Sequence, residues 1–216
     1  MHPSGHDGWV EVISGVMFSG KSEELLRRVR RAVIARKRIQ VFKSHVDYRY
    51  GGPDHLTSHD GTRIEAQPLG NAREIRALVN PETDVVGIDE AQFLDKEILS
   101  VVQWLANRRV RVIVAGTDLD FRGLPFGAMG DLMASAEVVD KLHAICTQCG
   151  DLATRNQRLI NGEPAPAESP IIQVGGAETY EARCRGCHEV PTGSRHQTEL
   201  DIEVEADAWA DRARYW

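Results

Sequence analysis

The sequence predicts an α/β fold, a mostly parallel sheet flanked by helices with a small C-terminal module. Three observations predict it. Short apolar β-rich runs recur at residues 9–14, 39–43, 85–88 and 110–115. The stretches between several of them carry helical spacing, and that alternation is the mark of a parallel sheet. Beyond about Leu142 the pattern changes to paired cysteines and turn residues, with a proline-rich stretch at 163–170, which places a boundary there.

The 216 residues, 42% hydrophobic, suit one α/β domain plus an appendage. We divide the chain into a main domain over 1–141, a small domain over 142–190 and an acidic tail over 191–216. The tail holds an alternating run at 199–205, and edge strand and disordered tail both stay open as readings. A formal net charge of −6 speaks against general nucleic-acid affinity, which needs a basic excess to displace phosphate counterions. No run approaches the roughly 18 apolar residues of a membrane span, and the first thirty residues show no signal-peptide core. The expectation is a cytoplasmic protein with neither membrane nor nucleic acid as partner.

The clearest helix begins at Ser22, where Leu25, Leu26, Val29, Ala32 and Val33 form an apolar stripe. Arg27, Arg28, Arg30 and Arg31 then form its other face, read as solvated rather than as a nucleic-acid surface. A second helix is expected from Asn71, a good N-cap, to Val79, where Pro81 follows. A third is expected from Gln92 to Asn107. Residues 47–61, rich in glycine and polar residues, read as a long loop beside the site.

Gly15-Val16-Met17-Phe18-Ser19-Gly20-Lys21-Ser22 fits G-x-x-x-x-G-K-[ST] between an expected strand and an expected helix. Glycines let backbone N–H groups turn inward around phosphates, Lys21 reaches the β- and γ-phosphates, and Ser22 can ligate Mg2+. This is a P-loop for ATP. Val85-Val86-Gly87-Ile88-Asp89-Glu90 reads as a buried strand ending in two acids. In a parallel sheet its carboxyl end lies beside the P-loop, so Asp89 approaches Mg2+ and Glu90 faces the acceptor as a proton-accepting general base. Cys146-Thr147-Gln148-Cys149 and Cys184-Arg185-Gly186-Cys187 supply four thiolates for a structural tetrahedral Zn2+ that anchors both ends of a loop. His188 is an alternative to Cys187 as the fourth ligand.

These motifs, with Gly87-Ile88-Asp89-Glu90-Ala91-Gln92-Phe93, Asp118-Leu119-Asp120-Phe121-Arg122-Gly123, Pro125-Phe126-Gly127 and Val174-Gly175-Gly176-Ala177-Glu178-Thr179-Tyr180, resemble the type II, zinc-containing thymidine kinases from about Gly8 to His188. The resemblance implies a P-loop NTPase-like fold with a zinc-binding lasso domain, and transfer of the γ-phosphate of ATP to the 5′-hydroxyl of deoxythymidine. It implies that Ala91 and Gln92 join the ATP site, and that Glu90 is the base. Met17, Phe93, Thr117, Phe121 and Tyr180 would line the nucleoside pocket, while the backbone of Ile171, Ile172, Gln173, Val174 and Gly175 hydrogen-bonds the pyrimidine. Asp47 and Arg49 would lie near the phosphates. A homotetramer and feedback inhibition by dTTP are further implications. Thr117 departs from the leucine frequent in the family near the thymine methyl, which opens the question of discrimination against deoxyuridine. The competing reading is a P-loop ATPase whose zinc module binds nucleic acid through Arg155, Arg158, Arg183 and Arg185, among which Glu163, Glu168, Glu178 and Glu181 are interspersed.

Overall fold

The computed structural model describes residues 8–44, 55–57, 63–173, 175–176 and 179–191. In chain order the elements are β1 (Trp9–Gly15), α1 (Lys21–Ile34), β2 (Ile39–Ser44), β3 (His55–Thr57), β4 (Arg63–Glu65), β5 (Gln67–Leu69), α2 (Glu74–Leu78), β6 (Val85–Asp89), α3 (Ile98–Ala106), β7 (Arg111–Thr117) and α4 (Met129–Ser135). There follow β8 (Val138–Leu142), β9 (Ala144–Ile145), β10 (Leu152–Ala153), β11 (Arg155–Ile160), β12 (Glu163–Pro164) and β13 (Tyr180–Arg183).

Among the described residues six strands form one sheet in the order β5-β2-β6-β7-β1-β8. Every pairing in it is parallel. The four apolar runs are its four central strands, and β5 and β8 close its two ends. Strand alternation sends Val10, Val12, Val86, Ile88, Val112 and Val114 to one face, where they pack with Ile75 of α2, Ile98, Val101 and Val102 of α3, and Met129 and Leu132 of α4. Ile13, Val41, Val85, Ile113 and Ala115 go to the other face and meet Leu25, Leu26, Val29 and Ala32 of α1. Helices thus cover both faces, as a parallel sheet requires. Among the described residues no helix is long and apolar enough to cross a membrane.

Several helix expectations are corrected. Val33 is 56% exposed and leaves the apolar stripe. Arg28 leaves the solvated face: it is buried, donating to Glu11 at 2.8 Å, to Glu24 at 2.8 Å and to Asp140 at 2.5 Å. Glu11, buried mid-strand, also accepts from Arg111 at 2.7 and 3.0 Å and from the Trp9 indole at 2.6 Å. Burial alone would raise the Glu11 carboxyl, but these cations and donors hold it below the usual carboxylate range. Helix α2 is shorter than its apolar spacing promised. The Asn71 amide donates to the Glu74 carboxylate at 2.9 Å, and Arg73 stands at the N-cap. Residues 91–93 form a separate 3₁₀ turn, and Asp95 then organises the approach to α3 by accepting from the Glu97 N–H at 2.9 Å and the Ala72 N–H at 3.2 Å. The stretch read as a loop at 47–61 holds β3, which pairs antiparallel with β4 just beyond it.

The main sheet ends at Leu142. After it, β9 and β10 form a hairpin whose turn carries the first cysteine pair, and β12-β11-β13 form an antiparallel sheet that leads into the second. The run at 199–205 lies outside the described residues.

Candidate active site

The phosphate loop leaves β1 at Gly15 and enters α1 through Gly20, whose φ of 83° lies in the region that favours glycine. Val16 is buried and Phe18 is 48% exposed. The Lys21 ammonium, itself buried, donates to the Val16 carbonyl at 2.7 Å, and the Ser19 hydroxyl donates to the same oxygen at 2.7 Å. Lys21 is thereby held across the mouth of the loop where a phosphate would sit.

Strand β7 separates β1 from β6, yet both strands end at the same edge of the sheet. The Ser22 hydroxyl therefore reaches Asp89, donating to its Oδ2 at 3.0 Å. Asp89 is buried, and burial first, then the charge of Glu90, pushes its carboxyl up to about 7, while Lys43 and the Ser22 hydroxyl pull it down. Lys43 is buried in β2 in register with Asp89. A carboxylate so placed is stabilised by a cation. Serine oxygen and carboxylate oxygen are the hard donors that Mg2+ prefers, so the pair fits Mg2+.

Glu90 is half-buried, with φ 53° and ψ 41°, a left-handed conformation costly for a residue with a Cβ. Its N–H donates back to Asp89 Oδ1 at 2.9 Å. The Gln92 amide bridges the site: its Oε1 accepts the Thr117 N–H at 3.0 Å, and its Nε2 donates to Glu90 Oε2. Because Thr117 N–H can only donate, the amide has one orientation, and its NH₂ must face the carboxylate. Gly127, φ 56°, permits this packing, since a Cβ there would stand 2.3 Å from the Gln92 carbonyl. Ala91 is fully buried in the core, and Gln92 has both amide ends engaged within the protein.

The four cysteine sulfurs lie within 4.8 Å of one another. Cys149 Sγ and Cys184 Sγ are 3.7 Å apart, close to the roughly 3.8 Å edge of a tetrahedron built on Zn–S bonds of about 2.3 Å. Burial raises the Cys146 thiol, but backbone N–H donors overcome it and bring it down to about 6; hydrogen bonds with neighbouring sulfurs push Cys187 up to about 12. Four such groups share a site comfortably only around a cation, and soft thiolates fit Zn2+. His188, the alternative fourth ligand, is elsewhere: its Nε2 lies 2.8 Å from the Phe121 carbonyl oxygen.

Phe121, Tyr180 and Ala165 form a buried cluster with Met17 against it. Phe93 stands edge-on to Phe126 with centroids 5.6 Å apart, and Thr117 is buried beside Gln92. The structure thus gathers Met17, Phe121 and Tyr180, and separately Glu90, Gln92 and Thr117. The side chains of Ile171 and Ile172 are 43% and 50% exposed. The carbonyls of Ile171 and Gln173 accept from Arg158 at 2.7 Å and from the Tyr180 hydroxyl at 2.9 Å, so protein groups hold these two loop carbonyls that the sequence reading gave to the pyrimidine. Gly175 is buried. Asp47, Arg49 and Val174 lie outside the described residues.

Two functional candidates escaped the sequence reading, and a third was weighed there only in another role. The Asn156 amide accepts the Met17 N–H at 2.8 Å and donates to the Leu119 carbonyl at 2.8 Å, joining the phosphate loop to the loop after β7. Lys43 is the other, and the buried Arg158 is the third. Arg158 and Arg183, weighed as parts of a basic groove, are both buried, which removes them from any nucleic-acid surface. Asn156, Gln157 and Arg158 form a polar run in β11, and a polar run reads as exposed unless its partners are known.

The sequence model of the family described as "Thymidine kinase" matches residues 8–188. Among solved structures, the flagellar accessory protein FlaH from Methanocaldococcus jannaschii is similar at 15% identity, over 68% of this chain and 75% of that chain, with a TM-score of 0.46.

Proposed function

The chain belongs to the thymidine kinase family, and from that premise we propose that it transfers the γ-phosphate of ATP to the 5′-hydroxyl of deoxythymidine, forming dTMP for salvage into DNA synthesis. The observation that carries the reading is the meeting of three strand ends: the P-loop after β1, the Asp89-Glu90 pair at the end of β6, and the Gln92–Thr117 bond that ties Glu90 to β7.

In this reading Lys21 exchanges the Val16 carbonyl for a phosphate oxygen when ATP enters. Ser22 and Asp89 would hold Mg2+, which when bound neutralises charge on the β- and γ-phosphates. Glu90 accepts the proton of the 5′-hydroxyl as its oxygen attacks phosphorus, and ADP leaves with the electron pair of the broken P–O bond. Gln92 holds one carboxylate oxygen so that the group keeps its aim. Met17, Phe93, Thr117, Phe121 and Tyr180 enclose the nucleoside, and the loop whose ends zinc would fasten lies over it. Incubation of the chain with ATP, Mg2+ and each of the four deoxynucleosides and deoxyuridine tests the reading. Phosphorylation of deoxythymidine above the others is expected; ATP hydrolysis with no phosphorylated acceptor would overturn it.

A further inference from the structure

Arg158 is 1% exposed, the largest fully buried side chain among the described residues. Among the described residues its guanidinium meets no carboxylate. It donates to the Tyr180 hydroxyl at 3.0 and 2.5 Å, to the Ile171 carbonyl at 2.7 Å and to the Pro170 carbonyl. The Tyr180 hydroxyl donates onward to the Gln173 carbonyl at 2.9 Å. Arg158 and Tyr180 are directly opposed on β11 and β13, so their side chains share one face of the small sheet. The guanidinium carbon also lies 4.2 Å from the centre of the Phe121 ring, which comes from the main domain, and 5.2 Å from that of Tyr180.

Burying a cation is costly, and one buried for stability alone is usually met by an anion. Here the partners are two main-chain carbonyls of one loop segment, a phenol that reaches a third, and aromatic rings. Only a planar fork with five N–H donors can hold several such oxygens and stack on a ring at the same time.

We propose that Arg158 is a positioning residue for the acceptor: it fixes the carbonyls of residues 170, 171 and 173, and so sets the shape of the loop that lies over the nucleoside. The proposal rests on the functional reading above. Cys146, Cys149, Cys184 and Cys187 would hold zinc at the feet of the loop, whereas Arg158 holds its middle. Without the clamp the loop samples other shapes, and nucleoside affinity falls by the fraction of time that the competent shape is kept. A loop competent one tenth of the time raises the apparent dissociation constant about 10-fold.

The test compares the zinc-loaded full chain with Arg158→Met, Arg158→Lys and Tyr180→Phe, reading KM for thymidine and ATP, zinc content, and hydrogen exchange of the amides over 165–180. Arg158→Met should raise the thymidine KM about 10-fold or more, leave the ATP KM within about two-fold and keep the zinc, while loop amides exchange faster and those of α1 do not. Arg158→Lys should fall between, because one ammonium keeps the charge but cannot span the phenol and both carbonyls. A folded, zinc-loaded Arg158→Met with wild-type thymidine KM and wild-type loop exchange would overturn the proposal. If that variant fails to fold, Tyr180→Phe decides: faster exchange around 173 supports the clamp, and unchanged exchange refutes it. A wild-type chain inert toward thymidine would sink the functional reading alone, since loop exchange still reports on the clamp.

Discussion

Replacing Glu90 by glutamine isolates proton transfer from everything else that Glu90 does. Glutamine keeps the length, suffers the same left-handed backbone at φ 53°, and its carbonyl can accept the Gln92 Nε2 as the carboxylate does. The backbone bond from residue 90 to Asp89 Oδ1, at 2.9 Å, is untouched. Folding stability should therefore stay within about 0.5 kcal/mol. What is lost on the proposed mechanism is the proton acceptor, whose contribution would be about 10²–10⁴-fold in kcat, or roughly 3–5 kcal/mol of barrier. Removing the Glu90 charge also removes one of the influences that raise the Asp89 carboxyl, so Asp89 should hold its metal no less well. The loss should then persist at saturating Mg2+. Asp89→Asn should behave oppositely, with the Mg2+ dependence shifted to higher concentration because Ser22 retains no anionic partner at that corner. Turnover titrated with Mg2+ at saturating ATP and thymidine separates the two. Near-normal kcat in Glu90→Gln, or recovery on adding metal, would refute the assignment.

Three other outcomes follow from the same geometry. Purified protein should hold about one zinc per chain, and Cys149→Ser, at the exposed corner of the cluster, should raise the thymidine KM more than the ATP KM; metal analysis with kinetics on both substrates checks this. Thr117→Leu keeps the backbone N–H that orients Gln92, so kcat should hold while selectivity for thymidine over deoxyuridine rises about 10-fold, the usual value of a methyl in an apolar wall; ratios of kcat/KM measure it. Arg28→Met leaves buried Glu11 and partly buried Glu24 and Asp140 without their shared cation, and should cost about 3 kcal/mol, a fall of roughly 6–12 °C in Tm by calorimetry. Glu24 is held down to about 2 by Arg27, against its burial, with Arg28 adding to the effect. A depressed carboxylate contributes stability above its ordinary value of 4.5 that is lost as pH falls toward 2, so the Tm advantage of wild type over Glu24→Gln should shrink across that window.

The parts legible in the sequence were those whose chemistry is local. The glycines, Lys21 and Ser22 must be neighbours to wrap phosphate, and Asp89-Glu90 terminates an apolar run whose burial follows from its composition. The cysteine pairs announce themselves by spacing. The parts that were not legible depend on partners far along the chain. Arg28 looks like any charge on a helix until Glu11 and Asp140, 17 and 112 residues away, are seen to surround it. Val138–Leu142 alternates too weakly to declare a strand, and it becomes one because β1 offers a free edge. Arg158 and Asn156 sit in a run of polar residues that only the loops packed over β11 make into an interior. His188 stands next to a ligand in sequence but turns toward Phe121, a choice that spacing cannot reveal.

Asn156 carries an implication for how such a protein can be rearranged. Its amide accepts from Met17 of the phosphate loop and donates to Leu119 after β7, and Val16 packs with Cys146, Ala153 and Ala182 of the segment after β8. The cysteine-bearing segment is therefore no detachable cassette. A chimera that grafts this segment from a relative would inherit a foreign residue at position 156, and only a side chain able to give and take a hydrogen bond at once would keep the seam closed. Recombination after β8 should succeed only when the graft keeps an amide side chain at 156 and residues that pack against Val16.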